Sequence, residues 1–198
     1  LISLIISAIY SYTLVYQYDY NKLKIHILLD NNTRDIVPEY NGDIQKYIQF
    51  SKAFNVCGIT LPNKDLIFLT RKEDIIRLLF HELNHYTHND RVNYNKRIKS
   101  IFDTEVSEVI PAEIYAEYIS IVDSCYFISS IYQLNPDLLL EQEKDYNASL
   151  IAKHLKYYNY TSSNYIDFFT KNDRKNTQYT YIWEYVFYRG FMLVKSNL

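Results

Sequence analysis

Two histidines four residues apart, His81 and His85, constrain this chain more than any other feature of its sequence. Apolar residues recur around them at helical spacing, which predicts one amphipathic helix from about Arg71 to Thr87. Thr70 and Glu73 match a capping box and predict where this helix begins. Residues four apart lie one above the other on the same face of a helix. Both imidazoles should therefore be directed toward a common point.

This arrangement is typical of a zinc site, because imidazole nitrogens are common zinc ligands and a tetrahedral ion needs four ligands. Glu82 follows the first histidine and is offset from it by about 100° around the helix axis. It can lie beside the metal without binding it, accept a proton from a zinc-bound water and return it to a leaving group. The pattern predicts Zn2+ as the cofactor, His81 and His85 as metal ligands, and Glu82 as the catalytic base and acid.

A catalytic zinc ion has three protein ligands and one open position, so a third ligand must come from elsewhere in the chain. Glu113 and Glu117 are four residues apart on a helix that is predicted to begin near Pro111. We predict Glu113 as the third ligand, and Glu117 as the acceptor of the ring N–H of a ligating histidine. Glu105 and Glu108 are weaker alternatives because they precede the proline.

The other histidines are poor candidates for the metal. His88 lies about 10 Å along the helix axis from His81, which is too far for both to bind one ion. We expect His26, His88 and His154 to be ordinary surface or packed residues. The competing interpretation of the motif itself is that His81 and His85 simply pack on an ordinary helix.

With these residues the chain resembles the zincin metallopeptidases, and within them the gluzincin branch. In that branch a helix with two histidines is followed by a second helix that supplies a glutamate ligand, with an acidic residue four positions later. Glu113 and Glu117 match those two positions, although the second acid is more often Asp in well-known members. The metzincin pattern fails, because His88 and Arg91 stand where it needs Gly and His.

The resemblance implies an α+β, zincin-like fold. It would have a small mixed N-terminal sheet with the active-site helix, followed by a mainly helical C-terminal half. An edge strand, either Cys57–Leu61 or Leu66–Leu69, would bind an extended peptide by strand addition. A donor to the oxyanion is also implied. The candidates for it are Tyr115, Tyr118, His154, Tyr181, Tyr185 and Tyr188.

A second resemblance is to uncharacterised proteins of large nucleocytoplasmic DNA viruses. It is strongest over Cys57–Asp90, which holds the predicted hairpin and the histidine helix. The composition fits such an AT-rich genome, since Tyr occurs 22 times and Gly only 3 times. This group has no activity that could be carried over. Together with only 2 cysteines, it favours an intracellular location, in host cytoplasm or virion, over secretion.

The length of 198 residues suggests a single catalytic domain, with a sheet subdomain over about 1–90 and a helical subdomain over about 91–198. Tyr10–Asp30 is interpreted as extended segments, with a strand at Lys24–Leu29. Leu1–Ile9 is interpreted as a first strand or helix, or as the remnant of a signal or anchor. The other predicted elements are a hairpin of Cys57–Leu61 and Leu66–Leu69 and helices over Asp43–Phe54, Pro111–Tyr132, Pro136–Tyr157 and Thr177–Lys195.

Composition also limits the partners. A net charge of -2 gives no reason to expect a nucleic acid, and no apolar run reaches the roughly 18 residues of a membrane span. We therefore expect a zinc peptidase with a peptide or protein substrate. The alternative is a zincin-fold binding, effector or virion protein whose metal site is structural or vestigial. Specificity, endo- or exopeptidase action and oligomeric state stay open.

Overall fold

The computed structural model describes residues 1–18, 22–30, 58–71, 74–91, 111–157, 161 and 187–195. Within these ranges the chain is α+β, with a small sheet and mostly helical residues, as the sequence predicts. The chain divides into two compact units, Leu1–Asn89 and Asp90–Leu198. The sheet and the histidine motif belong to the first unit.

The sheet of the first unit has three described strands, β1 (Lys24–Asp30), β2 (Gly58–Leu61) and β3 (Leu66–Arg71). Their order is β1-β3-β2, with β1 parallel and β2 antiparallel to β3. A 3-10 turn at Pro62–Lys64 joins β2 to β3, so the predicted hairpin is confirmed, as is the strand at β1. Because β3 is paired on both sides, β2 is the hairpin strand with an edge that no described strand occupies.

One face of the hairpin is buried and the other is more open. Thr60 pairs with Ile67 and Gly58 pairs with Leu69, so these four residues share one face of the sheet. Ile67 and Leu69 are completely buried. Ile59, which alternates to the opposite face, is 41% exposed. The face that carries Gly58 and Thr60 therefore lies toward the core of the first unit.

Helix α2 (Ile75–Tyr86) carries the histidine motif and begins later than predicted. The predicted cap, Thr70, and the predicted first residue, Arg71, both belong to β3. Arg71 pairs with Asp30 of β1, so sheet hydrogen bonds replace the expected capping box. The helix instead starts after Asp74, which has a φ of 55° and makes no side-chain capping bond.

Helix α1 (Ile2–Tyr16) corrects the prediction of extended structure from Tyr10 onward. Its buried residues Ile5, Ala8 and Tyr12 recur at intervals of three and four, which is helical spacing. The high β propensity of tyrosine favoured the wrong interpretation, but packing outweighs propensity. The Tyr12 ring stacks on Phe80 of α2 with ring centroids 6.0 Å apart.

The second unit contains α3 (Pro111–Tyr132), α4 (Pro136–Tyr157) and α5 (Arg189–Lys195). The bounds predicted for α3 and α4 are confirmed, and the side chain of Asn135 accepts the Asp137 N–H at 3.0 Å as a cap. One core cluster in this unit is formed by Ile121, Val122, Cys125, Leu140 and Leu193.

Some predicted elements cannot be compared with the structure in full. The helix over Asp43–Phe54 lies outside the described residues, as does the first part of the helix predicted over Thr177–Lys195. The described end of that segment is helical, from Arg189 to Lys195. Of the two cysteines, Cys125 is a buried free thiol, and Cys57 falls outside the described ranges. No helix in the described ranges is long and apolar enough to cross a membrane.

Candidate metal centre

The side chains of His81 and His85 converge on α2. Their Nε2 atoms lie 2.9 Å apart, and the two rings meet edge to face at 81° with centroids 4.6 Å apart. His81 is buried and His85 is half-buried. The i,i+4 spacing therefore brings the two imidazoles to a common point, as the sequence predicts.

The separation of these nitrogens is close to what one metal ion requires. Zinc–nitrogen bonds of about 2.0–2.1 Å at tetrahedral angles place two ligand nitrogens about 3.3 Å apart. The observed 2.9 Å between His81 and His85 differs from this by a few tenths of an ångström, which small ring rotations can supply. It also suits a hydrogen bond between two neutral imidazoles in complementary tautomers. The spacing of the pair is therefore compatible with a shared metal ion.

Glu82 lies between α2 and the sheet with only 4% of its surface exposed. Its Oε2 accepts a hydrogen bond from the Thr60 hydroxyl of β2 at 2.6 Å. The same hydroxyl lies 3.0 Å from the backbone carbonyl oxygen of Glu82. The carboxylate predicted as base and acid is thus held against β2, next to the two histidines in sequence.

Gly58 leaves the space that the Glu82 carboxyl group fills. A Cβ at this position would lie 2.8 Å from both Cγ and Cδ of Glu82, and closer still to Oε1. Atoms cannot pack that closely, so any side chain at Gly58 would displace the glutamate. A glycine inside a strand is a known sign of close approach. In a chain with only 3 glycines, the glycine in a predicted strand was a detectable signal of such close packing. The sequence alone does not identify Glu82 as the residue that packs against it.

Asn84, which lies between the two histidines on α2, forms hydrogen bonds within this helix and to α1. It is completely buried, and its Nδ2 donates to the Phe80 carbonyl at 2.7 Å. Its Oδ1 accepts a hydrogen bond from the Tyr12 hydroxyl at 3.0 Å. That hydroxyl also lies 3.1 Å from Thr87 Oγ1 and accepts from Asn89 Nδ2 at 3.0 Å. Helix α1 is therefore bonded to the motif helix through one tyrosine, a link that sequence analysis missed.

The end of α2 is bonded to the hairpin turn. The Tyr86 hydroxyl donates to Asp65 Oδ1 at 2.8 Å. Burial, followed by this hydrogen bond and the negative charge of Asp65, raises the pKa of Tyr86 to about 12. Asp65 itself has a φ of 52° at the turn before β3. The hairpin thus contacts the histidine helix at two places, at Gly58 and Thr60 on β2 and at Asp65 in the turn.

The predicted carboxylates Glu113 and Glu117 belong to the second unit, on the first two turns of α3. Glu113 is half-buried, and Glu117 is 8% exposed. Oε2 of Glu117 accepts a hydrogen bond from a guanidinium NH of Arg189 at 2.8 Å. Arg189 Nε also donates to Asn147 Oδ1 at 2.9 Å, so one arginine joins α3, α4 and α5. The predicted contact of Glu117 with a ligating histidine stays a prediction.

The remaining candidates are distributed as follows. His26 and His88 are exposed. Tyr188 is buried, while Tyr115 and Tyr118 are half-buried on α3. The other residues named from the sequence, namely Glu105, Glu108, Tyr181, Tyr185 and the side chain of His154, lie outside the described part of the chain.

Comparison with known proteins finds similarity to a viral protein and supplies no activity. The chain is 29% identical over 210 aligned residues to an uncharacterized protein of Acanthamoeba polyphaga mimivirus. The alignment covers 98% of this chain and 54% of the relative, so the chain spans about half of the relative's length. No family model and no solved structure matches. The expected similarity to a viral protein is supported, whereas a zincin family assignment receives no support from these comparisons.

Proposed function

We propose that this chain is a zinc-dependent metallohydrolase of the peptidase type. The observation that carries the proposal is the convergence of the His81 and His85 Nε2 atoms, 2.9 Å apart, on the helix that also holds the buried Glu82 carboxyl group. Many zinc peptidases bind their metal with two imidazoles and a third protein ligand, and use the glutamate beside the first histidine as the general base.

Three side chains would hold the ion. His81, His85 and Glu113 each offer one ligand atom, an imidazole nitrogen or a carboxylate oxygen. Glu113 is proposed for its chemistry and for its place in the first turn of α3, four residues before the Arg189-bonded Glu117. The same donors also suit other divalent transition metals, so the identity of the metal must be measured.

When bound, zinc supplies Lewis acidity that polarises a substrate carbonyl and acidifies a water molecule. Glu82 supplies the proton transfers. Its carboxylate takes a proton from the water that attacks the carbonyl and then delivers this proton to the leaving amine. The hydrogen bond from Thr60 to Oε2 would hold the carboxyl group in place for these transfers.

A peptide substrate is favoured by the strand beside Glu82. β2 contacts the glutamate through Gly58 and Thr60, and its outer edge has no described partner strand. An extended peptide can add to such an edge through main-chain hydrogen bonds. This would place a peptide group near the proposed base.

Metal analysis combined with three variants tests the proposal. We expect about one zinc per native chain, loss of zinc in His81→Ala and His85→Ala, and retention of zinc in Glu82→Gln. Wild-type protein should cleave members of a quenched-fluorescent peptide library, and Glu82→Gln should lose this activity by at least about 100-fold. Native protein that contains no metal, or a Glu82→Gln variant that cleaves like wild type, contradicts the proposal.

A second candidate is a binding or virion protein with a structural metal site. The observation that favours it is the close fit of Glu82 against Thr60 and Gly58, which is also compatible with a packing role. This candidate predicts one zinc per chain with no cleavage of any library peptide by the wild type. The same metal and library measurements therefore separate the two functions.

A further inference from the structure

We propose that Thr60 is a positioning residue that sets the orientation of the Glu82 carboxylate, with Gly58 leaving the space for it. This inference rests on the proposed function of Glu82 as base and acid. Neither Thr60 nor Gly58 belongs to the histidine–glutamate motif. Both lie on β2, more than twenty residues before Glu82 in the sequence.

The hydrogen bond has the geometry of a strong contact. The Thr60 hydroxyl lies 2.6 Å from Oε2 of Glu82, within the range of about 2.5–2.7 Å for a hydroxyl that donates to a carboxylate. The terminal torsion of a glutamate is soft, so a carboxylate without such a partner rotates easily. Threonine is β-branched and stiff at χ1, which fixes the hydroxyl to the strand.

Gly58 restricts the carboxyl group from the same strand. A Cβ at this position would lie 2.8 Å from Glu82 Cγ and Cδ, so the group packs directly on the β2 backbone. Gly58 and Thr60 are two residues apart and share one face of the sheet. The side chain is thus held by a hydrogen bond at Thr60 and by packing at Gly58.

A simpler role for Thr60 also has to be tested. Its hydroxyl lies 3.0 Å from the Glu82 carbonyl oxygen, so it could serve only to join β2 to α2. A joining role predicts lower stability in a variant without the hydroxyl, and no specific effect on the chemical step. A positioning role predicts a change in kcat that depends on Glu82 itself.

The experiment uses the full chain and one peptide selected from the quenched-fluorescent library by the wild type. Thr60→Val removes the hydroxyl and retains the shape of the side chain. We expect kcat to fall roughly 10- to 100-fold, because a misplaced catalytic group has effects of this size. KM and zinc content should stay within twofold of wild type, and Thr60→Ser should restore most of kcat.

Two further variants separate positioning from stability. Thr13→Val is the matched control, since the Thr13 hydroxyl bonds only the local Ile9 carbonyl in α1 among the contacts described, and its kcat should equal that of wild type. In a Glu82→Gln background, Thr60→Val should produce no further loss. Failure of Thr60→Ser to rescue, or an equal loss from Thr60→Val in both backgrounds, overturns the proposal.

Crystal structures of wild type and Thr60→Val give a test that does not need activity. We expect the Glu82 carboxyl group to leave its place against β2 in the variant and to remain there in Thr60→Ser. An unmoved carboxyl group in Thr60→Val overturns the inference. A wild type without zinc or cleavage contradicts the proposed function instead, so the two failures are distinguishable.

Discussion

Replacing Tyr12 by Phe should destabilise the first unit strongly for so small a change. Tyr12 is 2% exposed, and its hydroxyl lies within 3.1 Å of three polar partners, on Asn84, Thr87 and Asn89. The ring itself would remain, so its packing on Phe80 would be conserved. The substitution therefore isolates the hydroxyl and its hydrogen bonds.

The magnitude follows from the burial of the partners. A neutral hydrogen bond contributes a net of about 1 kcal/mol, and a buried group that loses its partner costs about 1–3 kcal/mol. Asn84 is completely buried, so its Oδ1 would lose the Tyr12 donor in a place that water does not reach. Thr87 and Asn89 are only part-buried and can be partly hydrated. We expect Tyr12→Phe to lower the free energy of unfolding by about 2–4 kcal/mol.

Urea denaturation followed by circular dichroism measures this change. Tyr10→Phe is the matched control, because Tyr10 is 64% exposed on the same helix, and its effect should stay within about 0.5 kcal/mol. A Tyr12→Phe variant as stable as the control would refute the assignment of Tyr12 as the link between α1 and the motif helix.

Three further outcomes are expected. Arg189→Met should destabilise the chain by about 3–5 kcal/mol in urea denaturation, because it removes the cation that is bonded to the buried Glu117 carboxylate. Adding Glu117→Gln to this variant should recover part of the lost stability, and the absence of any recovery would contradict the ion pair. The folded-state pKa of Tyr86 lies above its ordinary value of 10.0, so its contribution to stability is present below pH 10 and lost as the pH rises toward about 12. Tyr86→Phe should reduce this loss of stability at alkaline pH. Identical pH profiles of the variant and the wild type would show that ionisation of Tyr86 does not cause the loss. Removal of metal by a chelator should lower the melting temperature of wild type but not of His81→Ala, and equal shifts in both would argue against a metal at this histidine.

Local spacing predicted the part of the site that lies on one helix. His81, Glu82 and His85 are within five residues, so helical geometry alone determines how their side chains are placed. The start of the same helix was mispredicted because the competing interaction is not local. Arg71 pairs with Asp30, which is 41 positions earlier, and a capping motif cannot reveal that pairing.

The sequence failed most clearly in the second half of α1, from Tyr10 onward. Its tyrosines suggested strands, since aromatic residues are enriched there. The helical alternative depends on Tyr12, whose hydroxyl bonds a residue 72 positions away. Without the position of Asn84, the sequence does not show that Tyr12 is buried. The helical spacing of Ile5, Ala8 and Tyr12 therefore could not be recognised as a buried face. The prediction therefore followed the β propensity of tyrosine, whereas the structure is determined by the packing of Tyr12 against α2.

The environment of Glu82 bears on whether the site serves chemistry or stability. Burying a carboxylate is unfavourable unless it is well bonded, and an apolar side chain of similar size often stabilises a core more. This chain instead buries the Glu82 carboxyl group at 4% exposure. A hydroxyl donor lies 2.6 Å away, and the absence of a side chain at Gly58 leaves room for the group. Such an arrangement holds the carboxyl group in a defined position against β2. Under the proposed function a fixed carboxylate is what proton transfer requires, and the cost of burying it would be the stability trade-off of an active site.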